Sequence, residues 1–183
     1  MLVVAVVGMA GAGKSEVSRI FENKGYARIR FGDVTDDELR KVNLPLNEEN
    51  ERRMRESLRR HHGMEAYATL NLPKIDLLIK DCHVVVDGLY SWEEYVSLSK
   101  YYGRGFRVAL VWSSPATRYA RLAKRIVRPL TMEEAYSRDV AEILNLNKGG
   151  PIAMADFTIV NEGSLEDLER ECRSAISTFE RQL

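Results

Sequence analysis

The sequence contains little that would indicate a disulfide-linked, metal-coordinating or membrane-spanning protein. Its 183 residues include only two cysteines, Cys82 and Cys172, which lie far apart and lack the spacing of a metal-ligand pair. No apolar run reaches the ~18 residues of a transmembrane helix. The apolar N-terminal run lacks the basic flank and cleavage site of a signal peptide. We therefore predict reduced thiols in a soluble, cytoplasmic protein without a membrane partner.

The chain also lacks net charge, because 27 basic residues balance 27 acidic ones. This balance argues against a general electrostatic attraction to nucleic acid, which we do not expect as a partner. Hydrophobic residues make up 45% of the chain, an ordinary share for a globular core. The length suits one domain over residues 1–183. The sequence leaves the oligomeric state open.

Glycine is concentrated in residues 8–15, which read GMAGAGKS. This stretch matches G-x-x-x-x-G-K-[ST] at every fixed position, the pattern of a phosphate-binding P-loop. Glycine lets backbone N–H groups turn toward phosphate oxygens. Lys14 supplies a cation for the β- and γ-phosphates, and the Ser15 hydroxyl is placed to bind Mg²⁺. The pattern predicts a nucleoside-triphosphate site.

The context of the loop supports this interpretation over a glycine-rich turn without a ligand. Residues 2–7 form an uncharged, β-branched run, as expected of a buried parallel strand. After the loop, Val17, Ile20 and Phe21 repeat at helical spacing, and Gly25 is a stop signal. Strand, loop and helix therefore follow one another in the order that a P-loop requires.

Short apolar runs and helical segments alternate along the rest of the chain. This alternation predicts an α/β fold with a five-stranded parallel sheet flanked by helices in three layers. Residues 34–80 are charged and helix-favouring, with interruptions expected near Pro45, Gly63 and Pro73, and we interpret them as an acceptor-binding helical insertion. Residues 149–151 are expected to form a connection. The predicted strands are residues 2–7, 27–31, 83–88, 106–112 and 157–160.

Carboxylates follow two of these strands, at the sheet edge where open α/β folds bind ligands. Asp87 ends the third strand, where a carboxylate usually acts on Mg²⁺ directly or through water. Given the P-loop, we favour this interpretation over an aspartate that only starts a turn before Gly88. Asp33 ends the second strand and could also cap the next helix.

Arginines are concentrated after the fourth strand. Arg118, Arg121 and Arg125 are spaced so that they lie near one helical face, and Arg128 follows. They indicate either a solvated basic helix or a mobile flap, over about residues 125–131, that closes cations over the transferred phosphate.

The order of these motifs resembles a family of archaeal-type P-loop kinase-like proteins related to adenylate kinase and dephospho-CoA kinase. The resemblance spans nearly the whole chain and is weak between about residues 35 and 80. Its more specific part is the terminal pattern from Ala155-Asp156-Phe157 to Asn161-Glu162-Gly163. The other shared motifs are the P-loop, Gly32-Asp33, Asp87-Gly88 and the arginine-rich helix with its flap.

The resemblance implies ATP and Mg²⁺ as cofactors and a role for each matching position. Ser15 and Asp87 would hold Mg²⁺, and Asp33 would face the acceptor. Arg118 or Arg121 would lie against the adenine or its phosphates, and Arg125, Arg128 and Arg138 would be flap cations. The nucleotide site would comprise Gly8, Gly11, Ala12, Gly13, Lys14, Ser15, Glu16, Arg118, Arg121, Asn161 and Gly163.

Two departures from the family pattern concern the acceptor. Relatives often carry an arginine where this chain has Asp36, and another shortly after the third strand, where it has Tyr90. Both arginines would bind an acceptor phosphate, and an aspartate cannot replace one. The donor side therefore looks intact and the acceptor side altered.

Three functions follow as hypotheses. The first is ATP-dependent phosphoryl transfer to a nucleotide-like small molecule, with Lys14, Asp33, Asp87, Arg125 and Arg128 as catalytic residues. The second is dephospho-CoA kinase or another hydroxyl kinase, in which Asp33 takes the hydroxyl proton. The third is an ATP-dependent switch that turns over slowly without a small acceptor.

Overall fold

The fold is described by a computed structural model that covers residues 1–126 and 129–182, without the side chain of Glu48. Five parallel strands form one sheet: β1 (Val3–Val7), β2 (Ala27–Arg30), β3 (Val84–Asp87), β4 (Phe106–Trp112) and β5 (Phe157–Val160). Their order in the sheet is β2-β3-β1-β4-β5. The predicted strands and the α/β class are confirmed.

The helices of the described residues cover both faces of this sheet. They are α1 (Lys14–Glu22), α2 (Asp33–Lys41), α3 (Glu48–His62), α4 (Ala66–Leu78), α5 (Trp92–Tyr102), α6 (Pro115–Ala123), α7 (Met132–Leu146), α8 (Gly149–Ala153) and α9 (Leu165–Glu180). None of those nine helices is long and apolar enough to cross a membrane.

Strand β1 lies at the centre of the sheet because its side chains are apolar on both faces. Val4 and Val6 belong to a core shared with α1 and α9. Val3, Ala5 and Val7 belong to the core on the opposite face, which α4 and α5 cover. Alternation along the strand therefore buries every residue of β1, in agreement with its uncharged sequence.

Strand β1 lies between β3 and β4, so the loop that follows β1 lies where the two halves of the sheet meet. β1 pairs with β3 on one side and β4 on the other. In open α/β sheets, ligands bind at this switch point, beyond the carboxyl ends of the strands. In register, Val6 lies level with Asp87, and Asp87 lies level with Arg30. The fold thus brings the P-loop and the ends of β2 and β3 to one edge.

Capping residues start several of the helices. Thr131 and Glu134 form a reciprocal capping box at the start of α7, and Ser164 and Asp167 do so at α9. Ser91 and Glu94 form a third capping box, at the start of α5.

Two expectations about helix boundaries are wrong. Pro73 lies inside α4 and does not interrupt it, because residues on both sides of the proline, such as Tyr67 and Ile75, are buried against the sheet. The apolar contacts offset the hydrogen bond that proline cannot make. Residues 149–151, expected to be a connection, begin α8, where the buried Pro151 is tolerated in the first turn of the helix.

Candidate active site

The loop between β1 and α1 has the backbone geometry of a phosphate cradle. Gly13 immediately precedes α1 in a left-handed conformation, with φ of 99° and ψ of 22°. A Cβ there would collide with Nδ2 of Asn161, and a Cβ on Gly11 would lie 2.7 Å from the carbonyl oxygen of Arg118. Both glycines are therefore required by the fold, and they leave the N-terminus of α1 open toward a ligand.

Lys14 begins α1 and folds back over the loop. Its Nζ donates to the carbonyl oxygens of Gly8, at 2.9 Å, and Met9, at 3.1 Å. Burial lowers the pKa of Lys14, the charge of Lys148 adds to this effect and that of Glu142 opposes it, so that the pKa is about 7. The amine thus lies among carbonyl groups and another cation, where a bound anion would favour its charged form.

Asp87 ends β3 as a buried side chain at the same edge of the sheet. Its Oδ2 accepts a hydrogen bond of 2.5 Å from Nη2 of Arg28, in the neighbouring strand β2. Nη1 of Arg28 lies 3.8 Å from a carboxylate oxygen of Glu22. Arg28 therefore faces two carboxylates, of which Asp87 is the nearer.

Ser15 and Asp87 are oxygen donors of the kind that bind Mg²⁺ together with substrate phosphates. The Ser15 side chain is exposed in the first turn of α1, and Asp87 lies at the end of the strand that neighbours β1. No group of three or more acidic, histidine or cysteine side chains that could hold a metal occurs among residues 1–126 and 129–182. The donor set fits a magnesium ion that the nucleotide's phosphates help to hold.

Arg118 is buried beneath the P-loop. Its guanidinium makes two hydrogen bonds to Asp139 of α7, of 2.9 and 2.6 Å, and Nη1 also donates to the carbonyl oxygen of Ala10, at 3.1 Å. Nε donates to the carbonyl oxygen of Ser113. Arg118 thus links the loop, α6 and α7. The N–H groups of its guanidinium donate to protein atoms.

Arg121 lies half-buried on the same helix and points to the end of β5. Its Nη1 donates to the hydroxyl of Ser113, at 3.0 Å, and its Nη2 to the carbonyl oxygen of Asn161, also at 3.0 Å. The Asn161 side chain in turn donates to the carbonyl oxygen of Ala12, at 2.8 Å. These bonds join the last strand to the P-loop.

The residues around Asn161 continue this contact. The carboxylate of Glu162 accepts hydrogen bonds from the backbone N–H of Ser114 and from the hydroxyl of Thr117, the latter at 2.5 Å. Gly163 is exposed beside them. The start of α6 and the end of β5 thus form one side of the P-loop.

Of the arginines predicted to belong to the flap, the structure describes Arg125 and Arg138. Arg125 is exposed after α6, and burial of its head group together with the charge of Arg138 lowers its pKa. Arg138 is exposed on α7, and its Nε donates to Glu142, at 3.2 Å. Arg128 lies outside the described residues. Glu16 forms a surface ion pair with Arg19.

Asp33 begins α2 on the acceptor side and forms an ion pair of 3.1 Å with Arg30. Burial raises the pKa of Asp36, an effect that Arg30 opposes and that Glu51 and Asp33 reinforce. This wall of the site carries more carboxylates than cations at these positions.

The predicted acceptor side also carries aromatic side chains. The guanidinium of Arg59 lies 5.4 Å from the centre of the Tyr67 ring, and its Nε is buried without a hydrogen-bond partner among the described residues. The Tyr67 ring meets the Tyr90 ring edge to face, with centres 5.6 Å apart. Tyr90 occupies the position where an arginine was expected from the family pattern.

An open cleft of about 720 Å³ lies between α3 and α7, with Arg52 on one wall and Arg138 on the other. It provides room for a small molecule beside Arg138.

Sequence reasoning missed Lys148 and Glu142. Lys148 is 1% exposed, and its Nζ lies 2.7 Å from a carboxylate oxygen of Glu142. The segment Asn147-Lys148-Gly149-Gly150 has the composition of a solvent-exposed connection, so its lysine gave no local signal. The one available signal was Asn147, a residue type that often ends a helix in the left-handed conformation found here, with φ of 51°.

The comparisons with known proteins agree with this geometry. A family model described as an AAA domain matches residues 4–145. The UPF0200 protein TK1334 of Thermococcus kodakarensis is 35% identical over 179 residues, which cover 96% of each chain. A UPF0200 protein of Hyperthermus butylicus is 36% identical over 185 residues, or 99% of this chain and 96% of the relative.

Solved structures show a similar fold in P-loop kinases. A gluconokinase from Sinorhizobium meliloti has a TM-score of 0.60 and 15% identity, covering 98% of this chain and 94% of its own. A shikimate kinase from Acinetobacter baumannii gives 0.59 and 17%, covering 97% and 94%. Dephospho-CoA kinase from Campylobacter jejuni gives 0.54 and 17%, covering 97% and 96%.

The fold and the loop thus define a protein of the P-loop kinase-like class. The chain belongs to the UPF0200 family, and its residues 4–145 match the AAA domain model. The predicted resemblance to an archaeal-type family of P-loop kinase-like proteins is confirmed.

Proposed function

We propose that this protein is an ATP-dependent kinase that transfers the terminal phosphoryl group of MgATP to a small, nucleotide-like molecule. The observation that carries the proposal is the position of Lys14. It lies at the mouth of a glycine cradle, with hydrogen bonds only to the loop's own carbonyl oxygens among the described residues. The phosphates of a nucleotide would supply an anionic partner for this amine, in addition to the carbonyl oxygens.

The chain's own residues account for nucleotide binding. The N–H groups of the loop and of the first turn of α1 would donate to the phosphates, which the positive end of the helix attracts. Arg121, Asn161 and Gly163 form the neighbouring side, where the adenine would lie. Ser15 and Asp87 would hold Mg²⁺, which in such sites neutralises charge on the β- and γ-phosphates.

The transfer requires positioning and charge, without a covalent enzyme intermediate. An oxygen of the acceptor forms a bond to the γ-phosphorus while the bond from that phosphorus to the β–γ bridging oxygen breaks. Lys14 would stabilise the charge that develops on the transferred group and on the ADP oxygen. Arg125 would approach from the opposite side and help to exclude water.

The acceptor side supports a hydroxyl acceptor as the second candidate. Asp33 lies at the carboxyl edge with Arg30 as its partner, and Asp36 lies close by. Carboxylates on this wall repel an acceptor phosphate, whereas one of them, Asp33, would accept a hydroxyl proton as general base. The three kinases of similar fold are each named for a small molecule. This supports a small acceptor, whether it offers a phosphate or a hydroxyl group.

The test measures ADP production from MgATP across a panel of nucleoside monophosphates, nucleosides and dephospho-CoA. We expect one acceptor to stimulate turnover strongly and Lys14→Ala to abolish it, while Lys24→Ala, an exposed lysine after α1, has no effect. Unchanged turnover in Lys14→Ala would refute the proposal. Tight ATP binding with slow turnover that no acceptor stimulates would favour an ATP-dependent switch.

A further inference from the structure

A buried lysine, Lys148, lies at the junction of α7 and α8, and its charge acts on Lys14 of the P-loop. Helix α7 ends at Leu146, and the left-handed Asn147 turns the chain so that Lys148 points inward. The N–H of Lys148 donates to the carbonyl oxygen of Glu142, at 3.4 Å, which ties it to the last turn of α7. On its other side, Gly150 packs so closely under Trp92 that a Cβ would collide with the indole ring. The position of Lys148 is therefore fixed by the backbone on both sides.

The charges around Lys148 do not balance. Its Nζ lies 2.7 Å from Oε2 of Glu142, while Nε of Arg138 lies 3.2 Å from Oε1 of the same carboxylate. Although burial raises the pKa of Glu142, the charges of Lys148, Lys14 and Arg138 hold it below its ordinary value. One carboxylate thus faces three cations.

The second carboxylate near Lys14 does not restore the balance. Asp87 contributes negative charge at Lys14, but it is bonded to Arg28 at 2.5 Å. The charge of Arg138 also acts on Arg125, so a further cation lies near this group. Lys14 is thus acted on by two cations, Lys148 and Arg138, and by two carboxylates, Glu142 and Asp87, each of which already has another cationic partner. Buried like charges are unfavourable unless an anion joins them.

Lys148 also reaches the acceptor side. Its Nζ lies 5.9 Å from the centre of the Tyr90 ring, and its charge acts on the buried Glu94 at the start of α5. Tyr90 follows β3 directly and meets Tyr67 of the aromatic wall. Lys148 therefore lies between the predicted nucleotide-binding side of the site, which contains Lys14, and the predicted acceptor side, which contains Tyr90.

We propose that Lys148 is a second phosphate-binding lysine, which binds the terminal phosphoryl group of the nucleotide across from Lys14. The proposal rests on the proposed function, since it names a further catalytic residue of that site. Lys148 would exchange part of its contact with Glu142 for a phosphate oxygen. Lys148 transfers no proton, so the reaction itself remains the exchange of the bridging oxygen for the acceptor oxygen at phosphorus.

This role predicts a difference between ATP and ADP, because only ATP carries the group that Lys148 would contact. We would measure Kd for MgATP and MgADP by calorimetry in the unmodified protein and in Lys148→Met. A charge-assisted hydrogen bond corresponds to a weakening of MgATP binding by about 10- to 100-fold. MgADP binding should stay within about twofold, since ADP retains the contacts to Lys14 and the loop.

Two further variants keep the test decisive if Lys148→Met does not fold. Glu142→Gln retains every cation and removes the competing carboxylate, so MgATP should bind more tightly relative to MgADP. Lys148→Arg retains the charge and should keep most of the preference for ATP. Lys100→Met, an exposed lysine of α5, serves as the matched control and should change neither constant.

The outcomes separate this proposal from the proposed function. Equal weakening of both nucleotides, or no weakening of either, in Lys148→Met would overturn the role of Lys148 and leave the kinase proposal standing. An unchanged ratio of the two constants in Glu142→Gln would overturn that role as well. Failure of the unmodified protein to bind either nucleotide would overturn both proposals.

Discussion

The side-chain amide of Asn161 donates a 2.8 Å hydrogen bond to the carbonyl oxygen of Ala12, across 149 residues of sequence. This bond holds the back of the P-loop to the end of β5, and Asn161 also contacts Arg121 through its carbonyl oxygen. The loop is thereby held in shape before a nucleotide arrives. A preformed loop loses less conformational freedom on binding.

We therefore expect Asn161→Ala to weaken both folding and nucleotide binding. Loss of the amide leaves the carbonyl of Ala12 without this buried partner, which costs about 1–3 kcal/mol in the free energy of unfolding. Denaturant titration and the Kd for MgATP measure the two effects. Asn145→Ala, on an exposed part of α7, is the control and should be neutral. Equal behaviour of the two variants would contradict the role assigned to Asn161.

The buried ion pair between Arg118 and Asp139 gives a larger expected effect. Replacing Arg118 by Met leaves a buried carboxylate that only the hydroxyl of Tyr119 still contacts, among the described partners of its side chain. Removing one partner of such a pair costs about 3–5 kcal/mol. Chemical denaturation measures the free energy of unfolding of Arg118→Met. It should be higher again in the double variant with Asp139→Leu, because that variant no longer buries an unpaired carboxylate.

An exposed ion pair on the protein surface serves as the control for the Arg118 prediction. Arg170 and Asp167 form an exposed ion pair at the start of α9, and Arg170→Met should change the free energy of unfolding by less than about 1 kcal/mol. If Arg118→Met were as mild as this control, Arg118 would not be the link between the loop and α7 that its contacts indicate.

The pKa of Lys14 predicts a pH dependence of stability in the nucleotide-free protein. Since the folded-state pKa is lowered to about 7 from 10.5, the unfolded chain binds more protons than the folded one between these values. The contribution of Lys14 is therefore destabilising below about pH 7, and the free energy of unfolding should rise as the pH increases from about 7 to 10. Lys14→Met should flatten this rise in denaturant titrations.

The same group predicts proton uptake when MgATP binds. At pH 8, above a pKa of about 7, the amine is partly neutral, and a bound phosphate favours its charged form, so binding should take up protons, at most one per site. Calorimetry at pH 8 in buffers of different ionisation enthalpy measures this number. A binding enthalpy that is independent of the buffer would contradict the prediction, and Lys14→Met supplies the reference without the titrating amine.

Asp87→Asn should change the magnesium requirement. An amide is a weaker ligand for a hard cation than a carboxylate, so the Mg²⁺ concentration for half-maximal turnover should rise by at least about tenfold. Asp81→Asn, an exposed residue ahead of β3, should leave it unchanged. A normal magnesium dependence in Asp87→Asn would exclude this carboxylate from the metal site.

Asp33→Asn distinguishes the two classes of acceptor. A hydroxyl acceptor needs a base, and loss of one lowers kcat by about 10²- to 10⁴-fold, whereas an acceptor phosphate is already ionised. The comparison is made with the acceptor that the panel identifies, and Asp37→Asn, an exposed neighbour on α2, is the control. For a hydroxyl acceptor, an Asp33→Asn effect no larger than that of the control would contradict the role of Asp33 as the base.

Local patterns were sufficient to predict the fold but not all of the site. The strands and the P-loop could be predicted because apolar runs and glycine spacing act within a few residues. Pro73 was expected to break α4, and only the burial of residues around it explains why it does not. Helical spacing placed Arg118 with the other arginines, yet its partner Asp139 lies 21 residues further along. Lys148 was missed for the same reason, since its surroundings come from segments distant in sequence.

The sheet order has a consequence for synthesis. The first strand, β1, pairs only with β3 and β4, so the segment Val3–Val7 has no partner in the sheet until residue 84 has been made. At roughly 5–20 residues per second, this apolar, uncharged segment remains unpaired for about 4–15 s as the chain grows. Such segments are prone to pair with other chains. Expression yield should therefore depend on how the growing chain is protected over that interval.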